Sequence, residues 1–258
     1  MASPDTSVSA RTRRLQRTLA GRASGSTRAW WERYLKGEAA FRGVPMAEVR
    51  RATKAWWHDE GLDGEDVRTG RDAALDLFAS RFTEDKLAGT IALAELCIEN
   101  LGDTDLPAFA RLFDLGHVGD WNVTDWFAVK LLANLVCESD DPARTARAIA
   151  DWRKGRTLWQ RRAGLVAFAN LARHGDAAFP GQTDLLLETA DVLVRDPERF
   201  SQTAVGWVLR ELGVAEPERV SAFARDHRER LSREALRNLT AKLDPASRKA
   251  LRDAHAAR

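Results

Sequence analysis

The 258-residue chain has no apolar stretch approaching the roughly 20 residues that a bilayer-spanning helix requires. A membrane protein of the helical kind is therefore not expected. Met1-Ala2-Ser3-Pro4-Asp5 runs into an Arg- and Ser-rich stretch without the apolar core of a secretory signal. The cytoplasm is the expected compartment. There are only two cysteines, Cys97 and Cys137, each inside an apolar helical run. They are expected to be reduced, buried side chains rather than a bridge or a metal site. The histidines, His58, His117, His174, His227 and His255, are scattered without ligand spacing. No metal and no cofactor is expected, and a metal-dependent hydrolase is disfavoured. A phosphate-cradling loop is missing too, because the Gly61 to Gly64 segment has neither the lysine nor the strand-to-helix setting.

Lysine is also scarce: Lys36, Lys54, Lys86, Lys130, Lys154, Lys242 and Lys249 stand among many arginines. The net charge is only +2, so the chain lacks a global basic excess. That counts mildly against nucleic acid. A neutral total can nevertheless hide a basic face, and arginine's planar fork suits phosphate oxygens. Abundant Arg and Ala also fit a GC-rich coding sequence.

Period-two β-branched clusters are absent, whereas apolar residues recur at three- and four-residue spacing almost throughout. Breakers come at short intervals, from Gly43-Val44-Pro45 through Pro180-Gly181 to Pro245. Asp141-Pro142, Asp196-Pro197, Glu216-Pro217 and Asp244-Pro245 read as helix starts with Pro at the first position. Helices of roughly 10 to 18 residues joined by short turns predict an all-α chain, an α–α superhelix (solenoid) of HEAT-like helical repeats. A single globular helical bundle is the alternative. Residues 1–27, rich in Ser, Arg and Gly, are expected to be a largely mobile extension with some helix over Thr12 to Leu19. Residues 28–258 are expected to form the repeat domain.

Nine tryptophans are many for this length. In Trp30-Trp31 and Trp56-Trp57, helical geometry turns neighbours about 100° apart, so one of each pair should face inward and the other lie nearer the surface, with core packing the favoured reading for most of these rings. Three later segments carry chemistry. In Gly119-Asp120-Trp121-Asn122-Val123-Thr124-Asp125-Trp126, Asp120 can cap a helix and Trp121 and Asp125 fall side by side at i and i+4. In Thr157-Leu158-Trp159-Gln160-Arg161-Arg162-Ala163-Gly164, Trp159 and Arg162 share a face, and the small residues invite a close helix. In Gly206-Trp207-Val208-Leu209-Arg210-Glu211, a mid-helix glycine costs roughly 1 kcal/mol against Ala and should be compensated by a closely approaching backbone. The bland readings are a solvated Asp on a second turn, a buried Trp beside a surface Arg, and core packing. The segments lie roughly 40 residues apart, near one HEAT repeat, so a solenoid would project them onto one concave wall.

With Tyr34-Leu-Lys-Gly-Glu-Ala-Ala-Phe-Arg-Gly43-Val44 and Leu231-Ser232-Arg233-Glu234-Ala235, these segments make the chain resemble the AlkD family of alkylpurine DNA glycosylases over roughly Thr27 to Leu243. The resemblance implies a hydrolase of base excision repair that cuts the N-glycosidic bond of cationic N3- or N7-alkylated purines in duplex DNA. It implies action without a base-flipping pocket, on lesions that can include bulky adducts. It also implies that Asp125 is the catalytic carboxylate, that Trp121 and Trp207 flank the lesion, and that Arg162 and Tyr34 contact the DNA. A monomer is expected. The chain departs from the family pattern at Pro45 and in the extension before Thr27. A non-catalytic HEAT-repeat scaffold that binds DNA or protein is the competing reading.

Overall fold

The computed structural model describes residues 8–64 and 66–256. Residues 1–7, part of the expected N-terminal extension, lie outside them. The described residues are all-α: fifteen α-helices, with short 3-10 and π segments and no strand beyond one isolated bridge between Ala40 and Phe82. The chain divides into two compact units, residues 1–101 with 111–131, and residues 102–110 with 132–258.

The first unit contains α1 (Val8–Gly21), α2 (Gly25–Tyr34), α3 (Met46–Asp59), α4 (Val67–Asp76) and α5 (Thr83–Glu95). The boundary of the units falls within α6 (Leu106–Asp114), and α7 (Trp121–Trp126) returns to the first. α1 packs on α3 and α4, and both α3 and α4 pack on α5. Leu15 and Leu19 of α1 are wholly buried. The Thr12 hydroxyl donates to Asp76 at 2.6 Å, and Trp56 Nε1 donates to the Arg11 carbonyl at 3.0 Å. Residues set apart in the sequence as an extension thus form a packed helix, because two leucines at i and i+4 give α1 an apolar stripe.

For Trp56-Trp57 the expected split between inside and surface fails, and core packing holds for both. Both rings are buried, at 5% and 3% exposure, because α3 has helices on two sides, α1 and α5. Trp57 lies so close to Gly70 that a Cβ there would stand 2.7 Å from the ring, which explains a glycine inside α4. Trp30-Trp31 behaves as expected, with Trp30 exposed and Trp31 half-buried.

The second unit continues through α8 (Ala133–Cys137), α9 (Pro142–Ala150), α10 (Leu158–Val166), α11 (Gln182–Leu193), α12 (Arg199–Leu212), α13 (Pro217–Asp226), α14 (Arg233–Leu239) and α15 (Pro245–Ala256). Each helix packs on elements close to it in sequence: α8 on α9, α9 on α10 and α11, α10 and α11 on α12, α12 on α14, α13 on α15. Progressive neighbour packing of this kind is what helical repeats produce. The α-helices run from 5 to 14 residues, shorter than the sequence suggests, because 3-10 and π turns interrupt them. Asp141 and Asp244 do accept from backbone N–H groups at the starts of α9 and α15. After Asp196-Pro197 the helix begins later, at Arg199, since Asp196 already binds Glu198 N, Ser201 Oγ and Arg161 Nη2. Cys97 is buried as expected, whereas Cys137, at the end of α8, is exposed.

Candidate nucleic-acid interface

In the first unit, α2 starts at Ser24, whose hydroxyl caps Thr27 N and whose own N–H donates to the Gly43 carbonyl at 2.9 Å. Gly43 has φ +90°, and a Cβ there would meet the Ser24 carbonyl at 2.2 Å, so only glycine fits. The loop that carries Gly43 is fastened to α5. Glu84, almost fully buried, accepts from the successive N–H groups of Arg42 at 2.9 Å, Gly43 at 2.7 Å and Val44 at 3.0 Å. Asp85, wholly buried, takes both arms of the Arg42 guanidinium at 2.7 and 2.8 Å and the Ser80 hydroxyl at 2.5 Å. Two buried carboxylates would be costly unpaired, and here they are met by backbone N–H groups, the Arg42 fork and the Ser80 hydroxyl.

α2 itself buries no side chain. Trp31 stacks on Phe41 with centroids 5.5 Å apart and planes within 10°. Trp30 and Tyr34, one turn apart, stack at 5.3 Å and 6° and are 52% and 55% exposed. Tyr34 in turn meets Trp121, at the start of α7, edge-on at 5.8 Å. The sequence-predicted Tyr34 and Trp121 are therefore in contact, and Asp125 stands one turn along from Trp121.

The start of α7 is pinned from below. Asp120 caps it, accepting from Val123 N at 2.9 Å. Lys86 of α5 donates to the His117 carbonyl at 2.6 Å and pairs electrostatically with Asp120. Burial raises the Asp120 carboxyl above its ordinary value, against the pull of the Val123 N–H and of Lys86; Asp125 adds to the rise. Burial likewise lowers the Lys86 amine, which Asp120 partly restores. Asn122 and Thr124 face inward, leaving Trp121 and Asp125 on the half-open face. Directly after Trp126 the helix widens into a π segment, Phe127–Leu132. Phe127 there lies between Phe78 and Phe113, at 5.7 and 5.8 Å. π turns of this kind commonly lie at functional sites.

In the second unit, Thr157 caps α10 by accepting from Gln160 N. Arg162 is only 5% exposed. Its Nη1 donates to the Phe200 carbonyl at 2.8 Å and to Thr203 Oγ1 at 3.1 Å, tying α10 to the first turn of α12. Trp159 leans on the Phe200 ring at 4.9 Å. The two thus meet at Phe200, and it is the arginine that is buried while the tryptophan is half-open, the reverse of the bland sequence reading. Gly164 and Gly206 do mark close approaches. A Cβ at Gly164 would lie 2.9 Å from Trp152 Cβ and 3.0 Å from the Ile149 carbonyl; one at Gly206 would lie 2.9 Å from the Ala235 carbonyl of α14. Trp207 is half-buried on α12, and Arg210 turns to Glu211, which Lys242 also holds.

The sequence-predicted residues therefore divide between the units: Tyr34 and Trp121 are in contact in the first, with Asp125 one turn along, and Arg162 and Trp207 lie on neighbouring helices of the second. Sequence reasoning missed Lys86, the Glu84 and Asp85 fastenings, and Phe200. Their partners lie about 30 to 45 residues away, and only Asp120, as a cap, gave a local signal. Among the described residues no cluster of His, Cys, Asp or Glu could hold a metal, and no helix is long and apolar enough to cross a membrane.

The fold matches that of a solved structure titled a predicted DNA alkylation repair enzyme from Enterococcus faecalis, with a TM-score of 0.72 at 18% identity over 87% of this chain and 98% of that one. No curated protein matches. The DNA alkylation repair enzyme family profile matches residues 15–243, starting inside α1 and ending ahead of α15. Over nearly its whole length, then, this chain belongs to the DNA alkylation repair enzyme family.

Proposed function

We propose that the chain is a DNA glycosylase that hydrolyses the N-glycosidic bond of cationic N3- or N7-alkylated purines in duplex DNA. It would act as a cofactor-free monomer in the cytoplasm and open base excision repair. The observation that carries this reading is the half-open face on which Asp125 stands one turn from Trp121, with Tyr34 against that indole.

An alkylated purine that carries positive charge leaves as a neutral base and needs no strong acid. What the enzyme must supply is stabilisation of the cationic sugar as the bond lengthens, and a placed water. A carboxylate does both in glycoside hydrolysis. The Asp125 carboxylate faces the developing charge at C1′ and orients the water. The water oxygen bonds to C1′, the bond to the base nitrogen breaks with its electron pair leaving on the purine, and the water's proton passes to solvent. The Trp121 indole offers an electron-rich face to the cationic nucleotide, about 0.5–2 kcal/mol for the contact. Because this attraction grows with the charge on the sugar, it favours the transition state over the ground state. Trp207, in the second unit, is assigned an aromatic contact with the DNA. Tyr34 is assigned to the DNA backbone, while Arg162, almost fully buried, holds α10 to α12 through the Phe200 carbonyl and the Thr203 hydroxyl. An open aromatic face suits a lesion that is not drawn into an enclosed cavity, bulky adducts included.

The test is base release from alkylated duplex DNA, read by mass analysis. Wild-type protein releases alkylpurines, and Asp125→Asn lowers the single-turnover rate on the order of 10²–10³-fold, as loss of one preorganised electrostatic group does elsewhere. DNA affinity stays within about threefold. Undiminished release by the variant removes Asp125 from its role, and wild-type protein that binds DNA but releases nothing is a scaffold.

A further inference from the structure

Trp30 has no part in the chemistry above, yet it and Tyr34 are the only aromatics among the exposed large apolar side chains of the described residues. Exposed aromatic surface is thus concentrated on one turn of α2, a helix that buries nothing. The two rings are stacked with their planes parallel within 6°, and Trp31, held by Phe41, props Trp30 edge-on at 4.7 Å. The platform is stiff, since α2 is anchored through Gly43 to the buried Glu84 and Asp85. Its surroundings are polar and net cationic: Arg28, Arg33 and Lys36 against Glu32 and Glu38, all exposed, with no ion pair among the three cations in the described residues. Flat rings set among unpaired cations are the equipment with which proteins hold unpaired bases, the rings taking the π-face and the cations the phosphates. Through Tyr34 the platform continues to Trp121.

We propose that Trp30 is a stacking site for an unpaired nucleobase of the bound DNA. The inference goes beyond base release and needs only that DNA be the ligand. It assigns Trp30 a preference for DNA with a base out of the helical stack, next to the face that presents Asp125.

The test compares binding of wild-type protein, Trp30→Ala and Trp30→Phe to three unmodified probes: a fully paired duplex, the same duplex with one bulged 2-aminopurine, and a single strand that carries it. Wild-type protein is expected to bind the bulged duplex more tightly than the paired one and to quench the 2-aminopurine. Trp30→Ala loses about tenfold on the bulged and single-stranded probes, the size of one base–aromatic stack, and less than twofold on the paired duplex. Trp30→Phe keeps most of the bulge preference because it keeps a ring. Unchanged binding by Trp30→Ala, or an equal loss on all three probes, overturns the proposal. Because no alkylated base is present, failure here is separate from failure of the glycosylase reading. Thermal unfolding checks that Trp30→Ala folds, as expected for a side chain half in solvent.

Discussion

The two units hold their functional helices by different means. In the first, α2 and the start of α7 are hung from α5 by polar fastenings: Glu84 and Asp85 grip the loop behind α2, and Lys86 grips the loop ahead of Trp121. In the second, α10 and α12 are set by backbone proximity, at Gly164 and Gly206, with one arginine pinning the pair. Hydrogen-bonded suspension leaves aromatic faces open to solvent, because little side-chain area has to be buried. Close packing hides much of its helices and leaves Trp159 and Trp207 half-open. The difference teaches that position and stability are separable in the first unit and inseparable in the second.

Substitutions can break that comparison. The largest effect is expected from Gly206→Leu. Its side chain would run into the α14 backbone, which cannot give way as a flexible side chain would, so the second unit should lose about 3 kcal/mol in denaturant unfolding. A loss under 1 kcal/mol would show that α12 is not set by contact.

Lys86→Met should act through position. Removing the amine leaves Asp120 buried and unbalanced, at a cost of about 2 kcal/mol. Amide exchange at Val123 and Thr124 should quicken, and base release should slow about tenfold with little change in DNA affinity. Adding Asp120→Asn, which keeps a capping oxygen, should return much of the loss. Exchange at α7 that ignores Lys86 would refute the suspension.

The smallest effect is expected on the acid side of the second unit. Burial opposes the Asp196 charge, but the Glu198 N–H, the Ser201 hydroxyl and the Arg161 guanidinium outweigh it and hold its pKa below the ordinary value. The ionised form is favoured by folding, so its stabilisation is present above the unfolded carboxylate value and is lost as pH falls through the depressed one. Asp196→Asn should cost about 1 kcal/mol at pH 7 and flatten the stability curve below pH 4. An unchanged acid limb would place the pH sensitivity elsewhere.

Legibility tracked the range of the interaction. The Asp120 cap, the Trp121 and Asp125 pairing and the close approaches at Gly164 and Gly206 were readable because each depends on a spacing of a few residues or on a side chain too small for its helix. Trp56 and Trp57 are both buried, where a single helix suggests a split, because how many sides of a helix are covered is not written in that helix. Arg162 was judged correctly as a partner of its own helix face but not as buried, since Phe200 and Thr203, some 40 residues on, decide where its guanidinium goes. Cys137 shows the same limit in reverse, an apolar-looking run whose last residue meets solvent.

By itself the sequence determined that the chain is all-helical, because three- and four-residue apolar spacing can be buried only by helices, and it determined which side chains share a face. Tertiary structure alone decided which of those faces stay open. Whether Tyr34 meets Trp121, whether α1 belongs to the core, and whether an arginine reaches solvent or a neighbouring carbonyl depend on contacts between distant segments. The energies of such contacts appear only once the chain has closed on itself.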